Sequence, residues 1–351
     1  MGYRLSRLSL LQTPLPVNIT LSLTNRCNSK CKTCNIWKCP QVEEPTLDEL
    51  EMILRSLGTV PFWFTLTGGE PFLRGDLADI VGLICTISRP AIIAIPSNAS
   101  LPGAIERTAR KMLGICKKNG VHLVINLSLD NIAGKHDRLR GHPGSFDRFN
   151  DTFRRLAGLR SDYKNFTLGI NTVISRYNAD DFFSIYRYVN HISPDSYIVE
   201  PAQERKEYMN LGDNPLPDMQ KYAGIIGFLR KNPQHRRNNV HGMNNIYSLL
   251  VNVLRRRYYI ATLPQPGKKQ AVPCYAGRAS MYISGRADVC PCSVLCESLG
   301  NLKRRKYDFK GIWRGEKADR LRNAIKQRKC ACTQANVSYT NLMCGWPVWQ
   351  V

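Results

Sequence analysis

Hydrophobic residues form six short segments along the first 200 residues, and helical periodicity separates one segment from the next. Alternation with a period of two predicts strands, whereas apolar residues three and four positions apart predict amphipathic helices. The predicted strands cover residues 17–23, 62–66, 91–96, 121–129, 166–174 and 196–200. The predicted helices cover residues 46–57, 75–88, 102–119, 146–159 and 179–191.

The regular alternation of strand and helix predicts parallel α/β architecture. Six units within residues 1–215 favour a partial (β/α)6 TIM-like barrel over a closed eight-stranded barrel. Polar and glycine residues directly follow several of the strands, at the end that carries the functional groups of β/α barrels. We therefore expect the functional site at the carboxyl ends of the strands.

The alternation ends near residue 215, and two regions of different character follow. Residues 216–270 predict a basic helical linker, in which a helix over 243–261 either packs on the core or lies on an anionic membrane surface. Residues 271–351 predict a small cysteine-rich module that contains a hairpin at 279–289 and a helix at 316–328. The chain thus divides into a barrel, a linker and a module.

Composition narrows the class of protein further. Apolar residues make up 43% of the chain and charged residues 22%, as in ordinary globular proteins. No segment reaches the roughly 18 apolar residues of a membrane span, and the N-terminus lacks the apolar core of a signal peptide. We expect a cytoplasmic protein, with peripheral contact at the inner membrane surface left open.

The chain carries 50 Lys and Arg against 27 Asp and Glu, a net charge of +23. Such an excess favours anionic partners, among them phosphorylated substrates, phospholipid and, less favoured here, nucleic acid. A basic surface that only keeps the protein soluble is the alternative. Basic clusters at 230–237, 255–257 and 303–310 place much of this charge in the C-terminal half.

The 13 cysteines are grouped rather than spread. Cys27, Cys31 and Cys34 follow the first strand with the spacing C-x3-C-x2-C. Clustered cysteines without a secretory signal indicate metal ligands before disulfides. Three thiolates on one loop can hold three irons of a [4Fe–4S] cluster and leave the fourth open, although a zinc site completed by Cys39 is the alternative. The isolated Cys85 and Cys116 are expected in the core.

The second strand ends in Thr67, Gly68, Gly69, Glu70 and Pro71. A C-x3-C-x2-C loop followed one β/α unit later by GGEP resembles the radical S-adenosylmethionine (radical SAM) enzymes. The resemblance implies that the open iron binds S-adenosylmethionine, which is cleaved reductively to a 5′-deoxyadenosyl radical. It also assigns Thr67, Gly68, Gly69 and Glu70 to binding of the cofactor, with Glu70 accepting from the methionine ammonium group.

Polar residues at the ends of the third and fourth strands also resemble those of radical SAM enzymes. The resemblance assigns Asn98, Ser128 and Asp130 to the ribose, adenine or carboxylate of the cofactor, whereas turn capping is the alternative for each. Asn171 and Glu200, on strands five and six, either contact substrate or are satisfied polar core residues. Two departures are Thr33, where relatives carry an aromatic residue, and Ala99, where they carry glycine.

The second cysteine group resembles the opening of SPASM and twitch modules, which hold auxiliary iron–sulfur clusters. Cys274 is followed by ten residues, Gly285, four residues and Cys290. The resemblance implies one auxiliary [4Fe–4S] cluster, with Cys290 and Cys292 competing for one ligand position and Cys296 as a spare core thiol. A zinc ribbon is the alternative. The candidate ligands are Cys274, Cys290, Cys292, Cys330, Cys332 and Cys344.

These resemblances imply an oxidoreductase or transferase that abstracts hydrogen from an unactivated C–H bond, with the auxiliary cluster aiding net oxidation or bond formation. We expect a small or lipid-linked anionic substrate and an electron donor such as flavodoxin or ferredoxin. A peptide maturase that forms thioether or C–C crosslinks is the alternative. The first strand starts near residue 17, so a separate protein would then recognise the peptide. A zinc protein that binds nucleic acid is a remote third reading.

Overall fold

The computed structural model describes residues 2–8, 11–40, 43–232, 245–263, 272–327 and 332–345. All six predicted strands are present, and each pairs in parallel with its sequence neighbour in the order β6-β5-β4-β3-β2-β1. Within those residues β6 does not pair with β1, so the predicted partial barrel is confirmed. The strands are β1 Asn18–Thr24, β2 Trp63–Gly68, β3 Ile92–Ser97, β4 His122–Ser128, β5 Phe166–Ile174 and β6 Ser196–Pro201.

The helices of the barrel follow the predicted positions with two additions. α2 begins at a capping box, in which Thr46 and Glu49 each accept the other's backbone N–H, as their spacing predicts. The short helices α1 and α5 were not predicted, because neither shows a clear apolar periodicity. The helices are α1 Gly2–Arg7, α2 Leu47–Leu57, α3 Leu77–Leu83, which continues as a π-helix over Ile84–Ser88, α4 Pro102–Lys118, α5 Ala133–Arg140, α6 Ser145–Ala157 and α7 Phe182–Ile192.

Side-chain alternation gives each strand an apolar outer face and a more polar inner face. In β4, Leu123, Ile125 and Leu127 are fully buried under the surrounding helices, whereas Asn126 and Ser128 on the opposite face are half-buried. The expected core positions of Cys85 and Cys116 are confirmed, since both are fully buried with their sulfurs 3.9 Å apart. The polar inner face is therefore where a ligand can be held.

The C-terminal part of the chain continues the barrel sheet. β7 pairs in parallel with β1, and β8 and β9 follow in antiparallel fashion, which extends the sheet to nine strands. The hairpin expected at residues 279–289 is formed by β7 and β8. The elements are α8 Met219–Lys231, α9 Asn245–Ala261, β7 Ser280–Ile283, β8 Asp288–Cys290, β9 Gly300–Asn301, α10 Phe309–Arg314, α11 Glu316–Gln327 and α12 Ala335–Gly345.

The helices of the predicted linker pack on the barrel. Tyr222 of α8 and Tyr258 of α9 are fully buried, and Arg255, at 4% exposure, donates to Ser196 Oγ of β6 over 2.8 Å. The core-packed alternative for α9 therefore fits its described side chains, and Arg255 is not part of a solvated basic patch. Most of the 230–237 cluster lies outside the described residues. No helix in the described part of the chain is long and apolar enough to cross a membrane.

Helix α12 was not predicted, and its first turn lies against the inner face of the barrel. Asn336 Nδ2 donates to Thr20 Oγ1 over 2.9 Å and to Thr65 Oγ1 over 3.1 Å. Ala335 N donates to the Glu200 carboxylate over 2.8 Å. These bonds join the end of the chain to β1, β2 and β6, so that the C-terminal helix closes part of the open barrel.

Replacing Asn336 with alanine is expected to lower the free energy of unfolding by roughly 1–3 kcal/mol, because the buried Thr20 and the half-buried Thr65 lose a hydrogen-bond partner. Urea denaturation followed by circular dichroism measures the change. Asn190→Ala, at an exposed position on α7, is the control and should have little effect. Equal stability of the two variants would contradict the role given to Asn336.

Candidate cluster and cofactor site

The three cysteines of the first group lie on the loop that follows β1. Cys27, Cys31 and Cys34 are half-buried free thiols. The loop is held by backbone bonds from Lys30 N to Arg140 O and from Lys32 N to Leu139 O, each 2.9 Å long. Burial raises the pKa of Cys27 to about 11 and that of Cys34 to about 12. Iron binding would therefore release protons from these thiols.

The glycine loop after β2 runs against the cysteine loop without room for side chains. Gly69 N donates to Thr24 O and Glu70 N to Arg26 O, both over 2.8 Å. A Cβ on Gly68, whose φ is +124°, would lie 2.1 Å from Thr24 O, and one on Gly69 would lie 2.0 Å from Arg26 O. Glycine is required here because any other residue would push the cysteine loop away.

Glu70 is buried, with 1% exposure, and its carboxylate accepts three hydrogen bonds from the protein. The donors are Ser97 Oγ at 3.0 Å, Asn98 N at 2.7 Å and Phe72 N at 3.2 Å. Burial raises the pKa of Glu70 to about 7 against the opposing effect of these bonds. The carboxylate thus ties the end of β2 to the end of β3, and its contact with the methionine ammonium stays a prediction.

Asn98 connects the end of β3 to the cysteine loop. Its Nδ2 donates to Asn28 Oδ1 over 2.7 Å and to Ser29 Oγ over 3.1 Å, while its Oδ1 accepts from Ser100 N over 3.0 Å. The following Ala99 has φ +61°, a backbone conformation that favours glycine. The side chain of Asn98 therefore positions the loop, and the sequence-based assignment to the cofactor remains a prediction.

Arg140, on α5, is a site residue that sequence reasoning missed. Its Nη2 lies 2.9 Å from Asp130 Oδ2, and its Nη1 lies 3.6 Å from Cys31 Sγ. Burial alone would lower the pKa of Arg140, but Asp130 and Cys31 outweigh it and raise that pKa. The Asp130 carboxylate also accepts from Val173 N over 2.9 Å. The sequence offered no local signal for Arg140, because the fold brings its partners Asp130 and Cys31 to it.

Buried polar atoms without a partner lie on the inner face of the barrel. Among the described residues, Ser22 Oγ, Asn126 Oδ1 and Asn171 Oδ1 have none. Ser128 is half-buried and opposite Asn171 in the β4–β5 register, and Thr67 is half-buried opposite Ser22. Leaving such atoms unpaired is unfavourable, and a polar ligand in the barrel would satisfy them. The inner face thus fits a polar cofactor or substrate.

Glu200 fits the polar-core alternative. Its carboxylate accepts from Asn171 Nδ2 over 3.1 Å and from Ala335 N over 2.8 Å. Burial raises the pKa of Glu200 in spite of these two bonds. The Glu200 carboxylate therefore bonds to β5 through Oε1 and to the start of α12 through Oε2.

Three cysteines of the second group lie at the end of β8 or shortly after it, namely Cys290, Cys292 and Cys296. Cys290 is buried at the end of β8, and the pKa of Cys296 is lowered to about 7 by its hydrogen bond with Cys290. The expectation that Cys296 is a core thiol is wrong, because its residue is solvent-exposed. Cys292 lies between them in sequence and its Sγ accepts from Leu295 N over 3.4 Å.

Two other described candidate ligands lie at opposite ends of α12, with Cys332 before its first residue and Cys344 in its last turn. A Cβ on Gly345, next to Cys344, would contact Pro273 and Tyr275, which flank Cys274. Cys332 lies close enough to Arg205 to raise the pKa of the guanidinium. Cys330 is outside the described residues. In the parts of the chain that the structure describes, no group of three or more His, Cys, Asp or Glu side chains is placed to hold a single metal ion.

A segment after β6, residues 203–213, contacts both cysteine-bearing regions. Asn35 N donates to Tyr208 O over 2.7 Å, and Asn210 Nδ2 donates to Thr33 O over 2.8 Å. Gln203 bonds to Thr333 in the C-terminal module. Sequence reasoning missed this connection, since the segment shows no periodic pattern.

Comparison with known proteins agrees with this geometry. The model of the radical SAM superfamily matches residues 21–189, which hold the three-cysteine loop and the glycine loop. The model of the SPASM iron–sulfur cluster-binding domain matches residues 274–334. The chain belongs to the radical SAM superfamily. The radical SAM domain of this protein implies S-adenosylmethionine and a [4Fe–4S] cluster, and its SPASM domain implies auxiliary iron–sulfur clusters.

Two curated relatives share the greater part of the chain. The antilisterial bacteriocin subtilosin biosynthesis protein AlbA of Bacillus subtilis (strain 168) is 23% identical over 84% of this radical SAM protein, which spans 59% of the length of AlbA. The AdoMet-dependent heme synthase of Methanosarcina barkeri (strain Fusaro / DSM 804) is 22% identical over 91% of the chain and 88% of its own length.

A solved structure shares the fold. Streptococcus suis SuiB bound to the precursor peptide SuiA superposes with a TM-score of 0.62 at 15% identity, over 93% of the radical SAM protein and 69% of that SuiB chain. At this identity the likeness shows the fold and not the reaction.

Gly69→Ala is expected to lower the iron bound by the first cluster, because a Cβ 2.0 Å from Arg26 O must displace the cysteine loop. Iron and sulfide analysis of anaerobically reconstituted protein measures the loss. Gly75→Ala is the matched control, since no atom lies within 4 Å of its added Cβ. Full iron content in Gly69→Ala would show that the loops need not lie so close.

Arg140→Gln is expected to lower the free energy of unfolding by about 3–5 kcal/mol, because it leaves the Asp130 carboxylate buried without its cation. Chemical denaturation of the cluster-free protein gives the value. Arg138→Gln, exposed on the same helix, is the control. In the double variant with Asp130→Asn the two losses should be less than additive, and strict additivity would rule out the coupling.

Proposed function

We propose that this radical SAM protein abstracts hydrogen from an unactivated C–H bond of an anionic substrate, either a small molecule or a lipid-linked one. The proposal rests on the polar inner face of the barrel, where buried polar atoms have no hydrogen-bond partner within the described residues. A substrate bound there would be next to the cofactor and away from bulk water. The heme synthase comparison, which spans most of both chains, also supports a substrate of modest size.

In this proposal the residues of the chain bind the first cluster and S-adenosylmethionine and orient them. Cys27, Cys31 and Cys34 hold the first cluster, while the glycine loop, Asn98, Ser128 and Asp130 hold S-adenosylmethionine. When bound, these two groups together supply the 5′-deoxyadenosyl radical. Glu70 and Arg140 fix the loops that carry the ligands, as their hydrogen bonds to Asn98 N and Cys31 Sγ indicate.

Basic side chains at the rim of the barrel support an anionic substrate. Lys30 and Lys38 lie over the ring of Trp37, with their nitrogens 5.5 and 5.1 Å from its centroid. Lys32 lies over the ring of Tyr177, 5.4 Å from its centroid. Aromatic contact holds these cations near the cysteine loop, where they raise the local concentration of anions.

In this proposal the C-terminal module binds one auxiliary [4Fe–4S] cluster. Its ligands would come from the cysteines at 274, 290, 292, 330, 332 and 344, and the exposed Cys296 beside Cys290 joins these candidates. Such a cluster would accept the electron left on the substrate and make the net reaction an oxidation or a bond formation. An acidic donor protein such as flavodoxin or ferredoxin would reduce the first cluster.

Peptide maturation is the second candidate function, and two of the comparisons support it. AlbA is named for bacteriocin biosynthesis, and SuiB was solved with a precursor peptide. This chain spans 59% of AlbA and 69% of that SuiB chain. In this candidate function a separate recognition protein would deliver the peptide. The product would then be a thioether or C–C crosslink.

The decisive experiment measures 5′-deoxyadenosine formed by the reconstituted full chain with S-adenosylmethionine and dithionite. Cys27→Ala should abolish the product, because one cluster ligand is lost. Cys39→Ala is the matched control and should retain it, since the Cys39 sulfur lies 3.0 Å from Met209 Sδ. Zinc without iron in the wild-type protein after reconstitution would overturn the proposal.

The substrate class is tested in the same assay with carboxylate-bearing or phosphate-bearing small molecules and with short peptides. An anion should stimulate product formation, and Lys30→Gln/Lys32→Gln should raise its KM several-fold. Stimulation by peptides alone would favour the second candidate.

A further inference from the structure

A cavity of about 360 Å³ lies between the N-terminal segment and the C-terminal module. It is lined in part by Thr13, which precedes β1, and by Arg278, which precedes β7. Since β1 and β7 run in parallel, the cavity is at the amino ends of these strands, opposite the three-cysteine loop that follows β1. It is therefore separate from the cluster site.

Three guanidinium groups and one carboxylate line this cavity. They belong to Arg278, Arg314, Arg322 and Asp319. Asp319 accepts from Arg322 Nη1 over 2.8 Å and its side chain is 63% exposed, so it offsets only part of the positive charge. The lining carries an excess of two positive charges in a partly desolvated place, where electrostatic interactions are stronger than in water.

The two buried arginines differ in how their donors are used. Arg322 is held by the protein, since its Nε donates to Gly277 O and its Nη2 to Trp313 O, both over 2.6 Å. Arg278, at 5% exposure, donates from Nη1 to Ser6 O and Thr13 Oγ1. Within the described residues its Nε and Nη2 have no acceptor, so these donors remain for a ligand.

The surroundings of Arg278 disfavour its charge when the cavity holds no anion. Burial lowers its pKa, and the nearby charges of Arg322 and Arg7 lower it further. A bound anion would reverse this effect, because it would supply the missing opposite charge and the missing acceptors.

We propose that this cavity binds the phosphate group of a small phosphorylated molecule or of a phospholipid headgroup. Its volume is at the lower end of small-molecule sites, about 300–1,000 Å³, and so fits a single phosphorylated group. Arg278 supplies a guanidinium fork at the base, and the exposed Arg314 supplies a second cation at the rim. Leu11, which is 54% exposed, adds apolar surface to the lining of the cavity.

Titration calorimetry of the full chain with inorganic phosphate, at constant ionic strength, tests the proposal. We expect saturable binding at one site, and about tenfold or greater weakening in Arg314→Gln, which removes one charged contact. Lys317→Gln is the matched control, because it removes one positive charge from the side of α11 opposite Asp319, Arg322 and Asn323. Its affinity should match that of the wild type.

Arg278→Lys provides a second variant, since lysine keeps the charge but not the fork. It should also weaken phosphate binding, and if it fails to fold, Arg314→Gln still decides. Absence of saturable binding by the wild type, or equal weakening in Arg314→Gln and Lys317→Gln, would overturn the proposal.

The source of the phosphate group is distinguished by competition. Tighter binding of glycerol 3-phosphate than of phosphatidylglycerol vesicles would identify a soluble ligand, and the reverse order would identify a lipid headgroup. Phosphatidylcholine vesicles, in which the choline ammonium offsets the charge of the phosphate, serve as the control without net charge. Either order supports the phosphate site when Arg314→Gln weakens the binding more than Lys317→Gln does, and equal weakening in the two variants would count against it.

Discussion

The backbone of the glycine loop lies directly against the backbone of the cysteine loop, and the rest of the site depends on this contact. Two hydrogen bonds of 2.8 Å, to Thr24 O and Arg26 O, leave no room for a Cβ at Gly68 or Gly69. Because two strand ends are fixed to each other in this way, the thiols of one loop and the cofactor-binding groups of the other keep a constant relation. Glu70 and Asn98 then attach the end of β3 to the same unit.

The C-terminal region completes the barrel as well as adding a second cysteine group. The first turn of α12 satisfies polar side chains on the inner face, and the segment 203–213 joins the cysteine loop to Thr333. A barrel of six strands leaves β1 and β6 unpaired with each other, and these later elements occupy that opening. The inner face of the barrel is therefore formed by parts of the chain that are far apart in sequence.

The sequence predicted the strands, the partial barrel and the three-cysteine loop after β1, because alternation and cysteine spacing are local patterns. It did not predict α12, because the polar residues Asn336 and Thr340 bond to Thr20 and Asn18, which lie more than 300 residues away. Arg140 was missed for the same reason, because its importance comes from Asp130 and Cys31. The exposure of Cys296 could not be read from spacing alone, since burial depends on tertiary packing.

The parallel pairing of β7 with β1 has a consequence for how the chain can be divided. β1 is an interior strand of the nine-stranded sheet only while the C-terminal module is attached. A barrel released from the module would expose the N–H and C=O groups along one edge of β1, a strand whose seven residues are all buried in the intact chain. An exposed strand edge can pair with a strand of a second molecule. Because the module covers this edge, it also protects the protein from self-association.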